Sequence, residues 1–332
     1  MRKLSSIKKI TGIAPILNAD RIVTYSVGGW RVVDQKDKYS VGDNIIYFEV
    51  DSLLPEIEQF EFLRKNSYVK NSLLGPGFRL RTIKLRGQIS QGLIMPIESF
   101  PEVANCGLGD CLDEILGVKK WEPVIPASLS GKIKGNYPTN IIPKTDQERV
   151  QNIFEDIDRT TDYETTIKLD GASCTMMFLD GELRVCSRNL ELKTDDLDNS
   201  FVQKAKELEP ILRKAENFVF QGELYGPGIQ GNKEKVNKLS FAVFDVFRVE
   251  NGYGEQLLPK ERRELCLSIG IEHVPVLEEN YLVPETLEEI LLYAEGPSLN
   301  YDNREGVVFK PNQKGVESFK AISNRFLLKF GE

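Results

Sequence analysis

Lys168 ends the β-type run Tyr163-Glu164-Thr165-Thr166-Ile167-Lys168 and is followed by Leu169-Asp170-Gly171, a tight-turn signal. A lysine amine at a strand end can serve as a nucleophile, but only unprotonated, and its ordinary pKa of about 10.4 leaves it charged at neutral pH. Other chemical groups follow at ordered intervals. Ser187-Arg188-Asn189 closes one β-type run, and Phe220-Gln221-Gly222-Glu223-Leu224 closes another. Asp245 interrupts the apolar strand Ser240-Phe241-Ala242-Val243-Phe244-Asp245-Val246; Arg304-Glu305-Gly306-Val307-Val308-Phe309-Lys310 leads on to Ser318-Phe319-Lys320. Acids in or beside apolar strands are costly to bury unless they are paired or hold a metal through water.

Composition narrows the alternatives. The one histidine, His273, lies in the strand-like run Ile271-Glu272-His273-Val274-Pro275 with no serine or cysteine nucleophile motif beside it, so it reads as a partly buried strand residue. The five cysteines form no CxxC pair, which leaves a zinc ribbon without ligands, and their odd number fits reduced thiols. Catalysis, if present, therefore runs on Lys, Asp and Glu. No run approaches the roughly 18 apolar residues of a membrane span, and the start Met1-Arg2-Lys3-Leu4-Ser5-Ser6 lacks a secretory core, so an intracellular, cytoplasmic protein is expected. A net charge of -7 argues against a wholesale polybasic nucleic-acid binder but leaves room for a local basic face.

The elements that must carry these groups form an α+β chain of two unlike segments. Residues 1–120 hold short β-type runs at 21–27, 30–33, 44–50, 78–85 and 92–96, punctuated by Gly28-Gly29, Gly42-Asp43 and Gly75-Pro76-Gly77. Such a pattern predicts a small β-barrel of the oligonucleotide-binding (OB) type. This segment carries 17 lysines and arginines against 14 acids, whereas the rest carries 26 against 36. Arg79, Arg81, Lys84 and Arg86 cluster within it, and strand alternation predicts Arg79 and Arg81 on one polyanion-facing side. The competing reading is a solvated edge strand whose charges only discourage aggregation. Residues 121–150, with Pro123, Pro126, Pro138 and Pro143, read as a linker or strap, and residues 151–332 as a second domain in which strands alternate with helices at 201–215, 259–267 and 284–294.

The ordered KxDG, SRN, GE, FDV, EGVVFK and FK elements, spread from Lys168 to Lys320, resemble the covalent nucleotidyltransferase superfamily of ATP-dependent ligases and capping enzymes. The resemblance implies an ATP-grasp-like ligase domain of antiparallel sheets with flanking helices. It makes Lys168 the adenylylated nucleophile, with Arg188 and Glu223 on ribose or phosphate and Lys310 and Lys320 on phosphates. The adenine would lie between Phe244 and Val308, its edge read by main chain near Ile167, with Asp170 in the same cofactor-binding group. Asp245, Glu305 and Glu223 are the expected shell for Mg2+ or Mn2+, or else partners of Lys310, Lys320 or Arg188. Lys310 and Lys320, with the metal, are expected to depress the Lys168 pKa. Many relatives carry Lys-x-Lys in the last element, but Ser318 stands at the first position here, with Lys314 or Lys329 as candidates to compensate.

The chain ends 12 residues after Lys320, so the OB-like domain is expected first rather than last. That order resembles the fifth family of ATP-dependent RNA ligases, as do residues 78–93 and 143–152. The resemblance implies a monomeric ligase that seals RNA, as a nicked duplex or broken strand. A DNA ligase would share every motif, and a non-catalytic RNA-binding protein on a transferase scaffold is the other alternative.

Overall fold

A computed structural model describes residues 2–70, 72, 74–122, 131–144 and 146–331. Of the expected strap, Pro123 and Pro126 lie outside the described residues, while Ile133–Asn136 is a strand rather than linker. The chain forms two compact units, Met1–Val124 with Val150–Phe154 and Asn324–Glu332, and Ile125–Arg149 with Glu155–Ser323. The C-terminal helix Asn324–Phe330, expected in the second domain, thus belongs to the first unit, where Gln91 donates to the Asn324 side chain at 3.3 Å.

The first unit is built from short antiparallel strands. Ser5–Lys9, Asn44–Phe48 and Leu93–Met95 form one sheet; Gly12–Ile16, Ala19–Val27 and Trp30–Gln35 form another. Inward residues of alternate positions fill two clusters, one around Phe48, Phe60, Phe78 and Phe100, the other around Tyr25, Trp30 and Tyr47. The expected single strand 78–85 is broken. Gly77–Arg79 pairs with Ser52–Leu54, whereas Thr82–Leu85 forms a separate hairpin with Gln88–Gln91. Leu80 is the cause, since it is buried in the core and its backbone bonds to Ser52 and Asp51 at 2.9 and 3.0 Å.

The second unit holds two sheets. A seven-stranded antiparallel sheet runs in the order Ile133–Asn136, Leu190–Leu192, Glu182–Cys186, Ala172–Leu179, Phe218–Tyr225, Ser240–Glu250, Tyr253–Gln256. The helices Ser200–Leu212 and Pro259–Ile269 pack their apolar stripes on it through Val202, Ala205, Leu212 and Cys266. Asn199 caps the first helix, its carbonyl accepting from the Phe201 and Val202 amides, and Gly270 ends the second at φ 75°. The expected helix 284–294 is shorter, Leu287–Tyr293, because Thr286 rather than Pro284 supplies its start.

The five-stranded sheet orders Glu148–Arg149, Phe319–Ile322, Gly306–Pro311, Asp162–Lys168 and Val276–Leu282, with only the Glu148–Arg149 pairing parallel. One face is an aromatic layer: Phe309 stacks on Phe319 at 4.5 Å, and Tyr163 meets Phe319 edge-on. Cross-strand pairing of Lys168 with Gly306, Thr166 with Val308, Glu164 with Lys310 and Val308 with Lys320 puts Lys168, Val308, Lys310 and Lys320 together on the opposite face.

Candidate active site

Lys168 closes its strand with its Nζ donating to Glu305 at 2.7 Å, across from the start of Gly306–Pro311. The close approach depends on glycine, for a Cβ on Gly306 would stand 2.2 Å from the Ala321 carbonyl oxygen and one on Gly171 2.3 Å from that of Leu224. Asp170, just past the strand, pairs with Lys233 at 2.8 Å, and its amide donates to the buried Glu234 at 3.1 Å. Burial alone would push Lys168 down, but Glu305, Glu223 and Asp170 together hold its ammonium above the ordinary lysine value. Glu223 moves to about 8 because it is buried and faces the charges of Glu305 and Asp170, which outweigh the pull of Lys168 and Arg188. Glu305 is therefore the principal counter-ion of Lys168. This reverses the expectation that surrounding cations depress the Lys168 pKa.

Those cations already have partners. Lys310, 3% exposed, is ion-paired with Asp245 and donates to the Phe244 carbonyl at 2.6 Å. Burial lowers it to about 8 against the attraction of Asp245. Lys320 donates to Asp146 at 3.0 Å, and the other Asp146 oxygen accepts from Arg188 at 2.7 Å. Burial also lowers Lys320 to about 8, with Asp146 opposing and Lys168 and Arg149 adding to the shift.

Residues 161–322 match the RNA ligase family model, and residues 4–97 match that of an OB-fold domain. Naegleria gruberi RNA ligase with PPi is 41% identical, covers 98% of each chain and superposes with a TM-score of 0.90. The same ligase solved as a mutant with ATP and Mn gives 39%, 98% of each chain and 0.90; another, with AMP and Mn, gives 40%, 98% of each chain and 0.89. The chain belongs to the RNA ligase family.

No curated protein matches it. As a family member it keeps the fold expected of one, an OB-fold domain followed by a ligase domain of mostly antiparallel sheets. Several site expectations change. Asp245, expected either in a metal shell or as a partner of a lysine, is wholly buried against Lys310, accepts from Gln256 at 2.6 Å and lies 3.7 Å from Arg262. No group of three or more His, Cys, Asp or Glu able to hold a metal occurs among the described residues. Of the main chain near Ile167 expected to read the adenine edge, the Ile167 amide donates to the Pro275 carbonyl at 2.9 Å. Phe244 and the half-buried Val308 do flank the lysines, the Phe244 ring centroid lying 5.6 Å from Lys310 Nζ. Lys314 pairs with Glu255 at the surface, and Lys329 sits on the C-terminal helix of the first unit.

One network was not visible in the sequence. Arg262, on the helix Pro259–Ile269, is 1% exposed; it pairs with the fully buried Glu164 and donates to His273 Nε2 at 2.9 Å, while Arg263 also pairs with Glu164. This cluster backs the Asp245–Lys310 pair. In the first unit, Arg79 is 7% exposed, with its guanidinium 3.4 Å from the Trp121 ring centroid and 3.8 Å from Asp51. The broken strand therefore separates Arg79 from the exposed Arg81, just before the hairpin, and from the exposed Lys84 and Arg86 within it. No helix among the described residues is long and apolar enough to cross a membrane.

Proposed function

We propose that this chain is an ATP-dependent RNA ligase that joins 3′-hydroxyl and 5′-phosphate ends through a lysyl-AMP intermediate on Lys168. The observation that carries this reading is the placement of Lys168, Lys310 and Lys320 on one sheet face in a chain 41% identical to an RNA ligase over 98% of its length. Lys168 Nζ attacks the α-phosphorus of ATP, pyrophosphate departs, and the amine loses its proton. The AMP then passes to a 5′-phosphate, and a 3′-hydroxyl displaces it. Each step is an in-line displacement, in which positioning and charge stabilisation supply most of the acceleration.

Within that sequence Arg188, Lys310 and Lys320 hold phosphate oxygens, and Phe244 with Val308 brackets the adenine. Glu305 and Glu223 are the donors for Mg2+ or Mn2+. One or two carboxylates suit a cation that keeps water and substrate phosphate in its coordination sphere, which fits this acid-rich surround of Lys168. When bound, such a cation withdraws charge from phosphate and from the carboxylates that hold the ammonium. Arg81, Lys84 and Arg86 contact the RNA backbone, whereas Arg79 shapes the unit that presents them. The further expectations, a monomer acting in the cytoplasm on nicked or broken RNA, belong to the same proposal, and five free cysteines support a reducing compartment. Incubation with labelled ATP and a divalent metal should give a covalent AMP adduct that Lys168→Ala abolishes; undiminished labelling of that variant overturns the assignment.

A further inference from the structure

We propose that Asp146 is a built-in competitor for the phosphate subsite, its carboxylate taking the place between Arg188 and Lys320 whenever phosphate is absent, so that pyrophosphate release is favoured and reversal of adenylylation opposed. This rests on the reading above, in which Arg188 and Lys320 hold phosphate. The two Asp146 oxygens are divided between the two cations, at 2.7 Å from Arg188 and 3.0 Å from Lys320. That is how two non-bridging phosphate oxygens would be shared between a guanidinium and an ammonium.

The two lysines differ in how removable their counter-ions are. Lys310 faces Asp245, whose side chain is fully buried and cannot leave without unfolding its strand. Lys320 is held by the strand Phe319–Ile322, yet its partner Asp146 has a side chain 41% exposed, shortly before the two-residue strand Glu148–Arg149. A carboxylate so placed can swing into water and return. While it is in place it also keeps Lys320 charged against burial and the repulsion of Lys168 and Arg149.

The consequence falls on the reverse reaction. A pyrophosphate oxygen attacks the phosphorus of lysyl-AMP, the P–N bond breaks, the amine takes a proton and ATP departs. Pyrophosphate reaches its cations only in the fraction of molecules from which Asp146 has withdrawn, so its apparent affinity falls by that fraction. Two partly exposed ion pairs, each worth a factor of a few, together make a competition of about tenfold.

The test compares the parent with Asp146→Asn and Asp146→Ala at fixed ionic strength. Calorimetric titration with inorganic pyrophosphate should show binding about tenfold tighter in Asp146→Ala and intermediate in Asp146→Asn. The pyrophosphate concentration that strips half of a preformed labelled adduct should fall in parallel. Equal or weaker pyrophosphate binding in both variants overturns the proposal and makes Asp146 a residue that merely orients Arg188 and Lys320. A parent that binds pyrophosphate but never forms the adduct would sink the Lys168 assignment, while the binding comparison still decides the role of Asp146.

Discussion

Replacing His273 with Gln should remove a defined part of the protein's acid sensitivity. His273 Nε2 accepts from Arg262 at 2.9 Å, and Nδ1 lies 2.6 Å from the Val274 carbonyl, so the network assigns a neutral ring protonated on Nδ1. Burial, then Arg262, with Lys310 and Arg263 adding, lowers the ring from 6.5 to about 3. As pH falls through 6.5 the unfolded chain takes up a proton that the folded chain refuses until about pH 3. The stabilisation is therefore complete above pH 6.5 and is lost progressively below it. At about 1.4 kcal/mol per pH unit, discounted for a half-buried ring, the loss between pH 7 and pH 5 is about 1–2 kcal/mol. Glu223, raised to about 8, works in the opposite direction over this range, because the folded chain holds its proton more tightly than the unfolded one. The raw pH slope is thus ambiguous, and the difference between parent and variant is the informative quantity. Glutamine keeps an oxygen that can accept from Arg262 but does not titrate, and the chain has no second histidine. Urea unfolding at pH 7 and pH 5 should show the parent losing about 1–2 kcal/mol more than His273→Gln. Equal losses in the two proteins would refute the neutral, Arg262-bound histidine.

Four other predictions follow from the same packing. Arg79→Ala should cost about 1–3 kcal/mol in urea unfolding, because the guanidinium no longer covers Trp121 or faces Asp51, without changing the salt slope of RNA binding. Replacing Arg81, Lys84 and Arg86 together with Ala should do the reverse, flattening that slope by up to about 0.7–0.9 for each phosphate charge no longer neutralised while leaving the unfolding midpoint nearly unchanged. Asp245→Asn leaves Lys310 and Arg262 with one fewer buried counter-charge and should destabilise by about 3–5 kcal/mol in the same unfolding assay. Gly306→Ala brings a methyl within 2.2 Å of the Ala321 oxygen, so the strands Gly306–Pro311 and Phe319–Ile322 must part; a cost of about 1–3 kcal/mol or more is expected by thermal unfolding, with self-adenylylation reduced.

What the sequence disclosed and what it concealed divide along the range of the interaction. Lys168, Lys310 and Lys320 were legible because each sits in a strand with a local signature, and period-two alternation carries all three to one face once the register is set. The break at Leu80 was not legible, since Arg79 to Leu85 reads as unbroken β propensity and only core burial of Leu80 interrupts it. Nothing in the local sequence marks Arg262 as buried; its burial follows from meeting Glu164 and His273, which lie 98 and 11 residues away in sequence. Asp245 was recognised as a costly buried acid with more than one possible partner, and only the fold shows that Lys310 stands against it.

The charge on Lys168 shows why this distinction matters for chemistry. Counting residues gives three cations near Lys168 and suggests a depressed pKa. In the fold, Lys310 is offset by Asp245, and Lys320 with Arg188 by Asp146, whereas Glu305 is spent on Lys168 itself. A field depends on where charges are paired as well as on how many are present: the cations are drawn to their own carboxylates, and the charge closest to Lys168 is Glu305 at 2.7 Å. On the proposed reading, Glu305 favours the ammonium form of Lys168, and a cation that engages Glu305 would weaken that hold on the amine.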